Sequence, residues 1–99
     1  PAEKETGNIG VWALRHKRYL KQHHKVLYYN LLTSGKLHSY LADIEEQAQQ
    51  LFLRLVKEYA EKEGVTEQLK SADPIAWVRK MNNIRNRSSE IVNAEVVFV

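Results

Sequence analysis

The chain has 99 residues, a formal charge of +3, no cysteine, two prolines and four glycines. That length leaves room for one core, and the missing cysteine excludes disulfides, thiolate metal sites and thiol nucleophiles. With 43% hydrophobic and 27% charged residues and no apolar run near the roughly 20 residues of a membrane helix, the composition predicts a folded, cytoplasmic protein away from the membrane.

Residues 1–8 are polar and predict a disordered N-terminal segment, and the opening at Pro1 instead of methionine leads us to expect an upstream end cut away or processed. Residues 9–99 are expected to form a single helical domain. Asn8 is placed to cap a first helix from Ile9 to about Gln22. His23 to Thr33 reads as a second helix closed at Ser34-Gly35, yet neither glycine nor proline marks a break near His23. Lys36 to Glu63 carries no breaker and ends at Gly64. Thr66 can cap a short turn through Ser71, and Asp73-Pro74 supplies the cap and first position of a last helix. The tail Val96-Val97-Phe98-Val99 is β-prone, and fits a frayed helical end or a short strand.

Two apolar seams share one spacing. Leu37, Leu41, Ile44, Ala48, Leu51 and Leu55 recur at steps of four and three, as do Trp77, Met81, Ile84, Ser88, Ile91 and Glu95. Such spacing places each set on one helix face and favours near-antiparallel packing at about 20°. Leu53 and Val56 lie off the first seam and Tyr59 extends it. The fold class predicted is all-α, a small helical bundle built on a long antiparallel helix hairpin centred on Leu51 and Ile84. Trp12, Tyr19, Tyr40, Tyr59 and Trp77 read as core, while Tyr28 and Tyr29 cannot both face inward.

Charge is unevenly placed. Residues 1–38 hold seven Lys/Arg against two Glu, together with all four histidines, whereas residues 39–63 hold three against six. A basic front beside an acidic middle suggests polyanion binding or self-association. If the segment from Asn8 to Thr33 is continuously helical, Lys17, Lys21 and Lys25 fall at four-residue steps, with Arg18 and Tyr28 alongside. Ile9, Trp12, Tyr19, Leu20, Val26, Leu27 and Leu31 then form the opposite, packing arc. A basic ridge behind an apolar face is what phosphate contact requires, and four such contacts imply a salt slope of about −3.6. Arg79 and Asn83, with Lys80 and Arg87 flanking, form a weaker second patch away from the Trp77 seam. A helix-turn-helix around Ser34-Gly35 is disfavoured, because the following helix turns acidic at Asp43, Glu45 and Glu46.

Catalytic and metal chemistry find little footing. None of His16, His23, His24 and His38 has another His, Asp or Glu three or four residues away on the same helix, so no metal site is predicted. His16 and His23 read as half-buried space fillers beside Trp12. Glu45-Glu46 and Glu61 to Glu63 read as solvated helix surface. Ser34, Ser88 and Ser89 lack a His-acid partner, and there is no phosphate-binding glycine loop. No catalytic residue and no cofactor is expected.

Several segments point to one family. Ile9-Gly10-Val11-Trp12 and Arg18-Tyr19-Leu20-Lys21 are followed by Leu27-Tyr28-Tyr29-Asn30-Leu31-Leu32-Thr33-Ser34-Gly35-Lys36-Leu37. Gly64-Val65-Thr66-Glu67-Gln68-Leu69-Lys70 comes next, and then Asp73-Pro74, Trp77-Val78 and Met81-Asn82-Asn83-Ile84. Together they resemble the TnpV family of transposon-encoded proteins over about residues 9–98. The resemblance implies a setting beside recombination and mobilisation genes and brings no catalytic residue with it. The expectation is therefore a non-enzymatic accessory protein of a mobile element, contacting DNA through Lys17, Arg18, Lys21 and Lys25, with Arg79 and Arg87 in support. The alternative is a module that dimerises or docks on a recombinase or mobilisation protein without binding nucleic acid.

Overall fold

A computed structural model describes residues 9–99; the expected Asn8 cap and the expected disorder of residues 1–8 lie outside the described residues. The helices are α1 (Val11–His23), α2 (Lys25–Thr33), α3 (Leu37–Lys62), α4 (Glu67–Ala72) and α5 (Pro74–Val92), followed by a π-helical turn, Asn93–Val97. No strand occurs among the described residues.

Local chemistry sets most of the boundaries. Gly35 and Gly64 take φ of +76° and +72°, where a side chain would be strained, and each lies just past a helix end. The Thr66 hydroxyl accepts the Leu69 N–H at 3.3 Å, and the Asp73 carboxylate accepts the Ala76 N–H at 3.2 Å. Each such cap contributes about 1 kcal/mol. The front of the chain departs from a continuous helix. At His24 the backbone turns to φ −138°, ψ 59°, which separates α1 from α2. The His24 N–H still closes on the Leu20 carbonyl at 2.8 Å, and its own carbonyl accepts from the Tyr28 N–H at 3.0 Å. Both helices therefore run hydrogen-bonded up to the break, which needs no glycine or proline. The break also overturns the α2 part of the expected packing arc: Trp12 and Leu20 are buried, but Val26 and Leu27 are exposed, and Tyr28 is the buried residue of α2.

Two apolar clusters join the long helices. Trp12, Ala48, Val92 and Val97 form one, with Leu51, Phe52, Leu55 and Val96 against it. Val65, Met81 and Ile84 form the other, with Val56, Tyr59, Ala60, Leu69 and Trp77 against it. Leu51 and Ile84, expected to face each other at the centre, thus sit in different clusters. Phe52 and Val56, off the predicted seam, pack against these clusters while Leu53 stays exposed. Ser88 is wholly buried on the α5 seam, where its small side chain suits close packing. The radius of gyration is 17.2 Å and the long dimension 54 Å, against about 13 Å for a compact chain of this length. The 26 residues of α3 make about 39 Å of helix, more than the diameter of a compact chain of this length.

Glu45 corrects the sequence reading most sharply. Expected on a solvated surface, it is buried on α3. Its Oε1 accepts the backbone N–H of Gly10 at 3.1 Å and of Ala13 at 2.9 Å, and its Oε2 accepts from the Gln49 amide at 2.8 Å. Gly10, the N-cap of α1, has no side chain to satisfy those amides, so α3 supplies the cap. A Cβ on Gly10 would stand 2.7 Å from Glu45 Oε2, so glycine is what lets the carboxylate approach. At the other end of the chain, the tail is neither strand nor frayed helix. The Phe98 N–H reaches back five residues to the Asn93 carbonyl at 2.8 Å, and Val97 is fully buried.

Replacing Glu45 tests this cap. Glu45→Ala leaves buried amides without an acceptor and is expected to destabilise by about 3 kcal/mol, lowering Tm by more than about 10 °C. Glu45→Gln keeps one acceptor oxygen and is expected to cost roughly half as much. Thermal unfolding followed by circular dichroism reads both.

Candidate nucleic-acid interface

The face of α1 that meets the core carries Trp12, Ala13, His16 and Leu20. At 100° per residue, Leu14, Arg18 and Lys21 turn away from that face while Lys17 lies on its flank beside Ala13, and these four line one shallow depression. Arg18 and Lys21 are exposed and Lys17 is half-buried. Lys21 Nζ lies 5.6 Å from the centre of the Tyr28 ring. No ion pair engages Lys17, Arg18 or Lys21 among the described residues.

The other expected contact residues are dispersed. Lys25 lies beyond the helix break, in a separate depression with His23, His24, Val26, Leu27 and Asn30. Arg79 borders Pro74, Ile75, Val78 and Asn82 on α5. Arg87 is engaged in structure: its Nη2 pairs with both Glu63 oxygens at 2.9 Å, its Nε donates to Asn83 Oδ1 at 2.9 Å, and its guanidinium sits 4.9 Å over the Tyr59 ring. It ties α5 to the end of α3.

His16 holds the orientation of α1. Its Nδ1 lies 2.7 Å from the Val97 carbonyl oxygen, which can only accept, so Nδ1 donates. In a neutral ring Nε2 then accepts from the Tyr40 hydroxyl at 2.8 Å. Burial raises the Tyr40 pKa above its ordinary value, which keeps that hydroxyl protonated as a donor. Arg15 adds a bond to Asn93 Oδ1 at 3.3 Å and stacks its guanidinium 5.3 Å over Trp12. His16 is therefore a fully engaged buried residue, whereas His23, expected to be half-buried with it, is exposed.

Around Tyr19 an aromatic cluster forms that sequence reasoning did not assemble. Ring centroids of His23, His24 and Phe98 lie 4.8, 5.4 and 5.7 Å from that of Tyr19. The four-residue step from Tyr19 to His23 was a visible signal for one of these pairs. Nothing local pointed to Phe98. Among the described residues no group of three or more His, Asp or Glu could hold a metal ion, and no helix is long and apolar enough to cross a membrane.

A family model described as transposon-encoded protein TnpV matches residues 1–97. No curated protein and no solved structure matches the chain.

The different engagement of the two α5 arginines predicts different costs. Arg87→Ala is expected to destabilise by up to about 1 kcal/mol, limited by solvent screening of a half-exposed pair. Arg79→Ala is expected to stay within about 0.5 kcal/mol. Urea unfolding of the two variants measures the contrast.

Proposed function

Since the chain belongs to the TnpV family of transposon-encoded proteins, we propose that it is a non-enzymatic accessory protein of a mobile element that contacts DNA through α1. Lys17, Arg18 and Lys21 are the contact residues, carried on a frame in which α3 and α5 form a long antiparallel hairpin. The observation that supports this reading best is their shared depression on a helix whose inner face is fixed by Glu45 and His16. Cations held on a rigid support and free of ion pairs can release counterions from the phosphate backbone without first breaking internal bonds. Lys25 is a flanking contact, since the break at His24 takes it off the α1 ridge. Arg87 is a structural cation, and Arg79 a peripheral one. Asp43 and Glu46, exposed on α3, would repel phosphate and so favour approach from the α1 side.

A second reading rests on α2. Val26 is 76% exposed and Tyr29 57%, with Leu27 and Leu32 also open to solvent. Apolar side chains displayed together in this way favour a protein contact, with a recombination or mobilisation protein or with a second copy of the chain.

Binding to random duplex DNA, followed by fluorescence anisotropy at two salt concentrations, separates the readings. Three phosphate contacts predict a slope of about −2.7 in log K against log salt. Reversing Lys17, Arg18 and Lys21 together to Glu is expected to abolish binding, with Tm within about 3 °C of the parent. Persistent binding by the reversed protein would remove the site. An absence of binding at low salt would leave the docking reading, for which light scattering gives the mass of any assembly.

A further inference from the structure

We infer that the α1–α2 junction is a stacking site for unpaired DNA bases, which extends the proposed DNA contact from phosphates to a strand opened out of the duplex. The inference rests on that contact and on a further set of residues at the junction. His23 and His24 are exposed and gather against the Tyr19 ring, with Phe98, 48% exposed, tilted 5.7 Å from it. The two imidazoles also line the depression at the helix break, beside Lys25, Val26, Leu27 and Asn30.

The chemistry of that lining selects its ligand. Aromatic and apolar side chains present flat, weakly hydrated surface, which suits the π-face of a base. Bases inside a duplex have both faces covered by their neighbours and offer only edges in the grooves. A strand with bases splayed out is the form of DNA that can lie on such a surface. Lys21 and Lys25 flank the two histidines in sequence and supply charge for the adjoining phosphates. The Asn30 amide, in the same lining, offers a donor and an acceptor to a base edge. No carboxylate lines the depression, so nothing in it repels the strand. A base–aromatic stack tolerates any base, so the site implies preference for strandedness over sequence.

Three labelled probes test this at one salt concentration: a 12-nucleotide oligothymidylate, the same backbone carrying abasic sites throughout, and a 12-base-pair duplex. The intact protein is expected to bind the oligothymidylate about tenfold more tightly than the abasic strand, as stacking of one or two bases implies. His23→Ala with His24→Ala should erase that difference while leaving duplex affinity within about twofold, since neither residue belongs to the α1 depression. Equal affinity of the intact protein for the oligothymidylate and the abasic strand overturns the stacking site alone. That comparison needs no variant, so a misfolded double variant would not blur it. An unchanged tenfold preference in a folded double variant overturns it equally. If the intact protein binds none of the three probes, the stacking site and the α1 phosphate contact fall together.

Discussion

A carboxylate lent by one helix to the open end of another organises this molecule. The first amides of α1 have no partner within their own helix, and Gly10 brings no side chain to them. Glu45 reaches across from α3 and accepts two of them. A buried charge is costly unless its field is answered. Here it is answered by two backbone donors, by the Gln49 amide, and by the positive end of the α1 dipole. The contact is directional in a way that apolar packing is not. Binding the Gly10 and Ala13 amides fixes the rotation of α1 about its own axis as well as its position. Ala13, His16 and Leu20 are thereby turned inward and Arg18 and Lys21 outward.

The second restraint comes from the other end of the sequence. His16 takes the Val97 carbonyl and the Tyr40 hydroxyl on its two ring nitrogens, so one side chain links α1, α3 and the C-terminal turn. The π-helical winding explains how the turn reaches it. Wider winding brings Val97 into the cluster with Trp12 and Val92 while Phe98 swings to the Tyr19 ring. An α-helical continuation would rotate each residue differently about the axis, and Val97 and Phe98 could not both keep those places. The place of Phe98 in the aromatic group at the α1–α2 junction is thus set by the π-helical turn.

Features set by neighbours in sequence were legible, and features set across the fold were not. Thr66, Asp73-Pro74, Gly35 and Gly64 announce their boundaries because capping and left-handed turns involve only a few adjacent residues. Glu45 was misread because a charged side chain next to Glu46 looks like surface. Its position four residues after Leu41 and three before Ala48 put it on the buried side of α3 all the same. The break at His24 left no trace in composition, since each helix keeps its own hydrogen bonds up to that residue. The seams showed that α3 and α5 meet, but not that Phe52 and Val56 join the core from off the seam or that α1 packs on α3 as closely. Among the candidate contact residues, the grouping of Lys17, Arg18 and Lys21 was legible, because it follows from helical spacing alone. The separation of Lys25 and the pairing of Arg87 with Glu63 were not, because they depend on the break and on where α3 ends.

Counting cations therefore says less about an interface than asking what each cation already does. Arg87 is answered by a carboxylate, an amide and an aromatic ring, and moving it to a phosphate would first require breaking those contacts. Arg15, on α1 itself, is likewise held by Asn93 and Trp12. Among the described residues Lys17, Arg18 and Lys21 have no ion pair, Lys21 meeting only the Tyr28 ring at 5.6 Å, and they stand on a helix held by Glu45 near one end and His16 in its middle. Free charge on fixed backbone is the combination that loses least on meeting a polyanion. Little side-chain bonding has to be undone, and the helix need not be ordered. The same logic places the aromatic surface beside it, since Tyr19 is anchored on that helix while the rings gathered around it stay open to solvent.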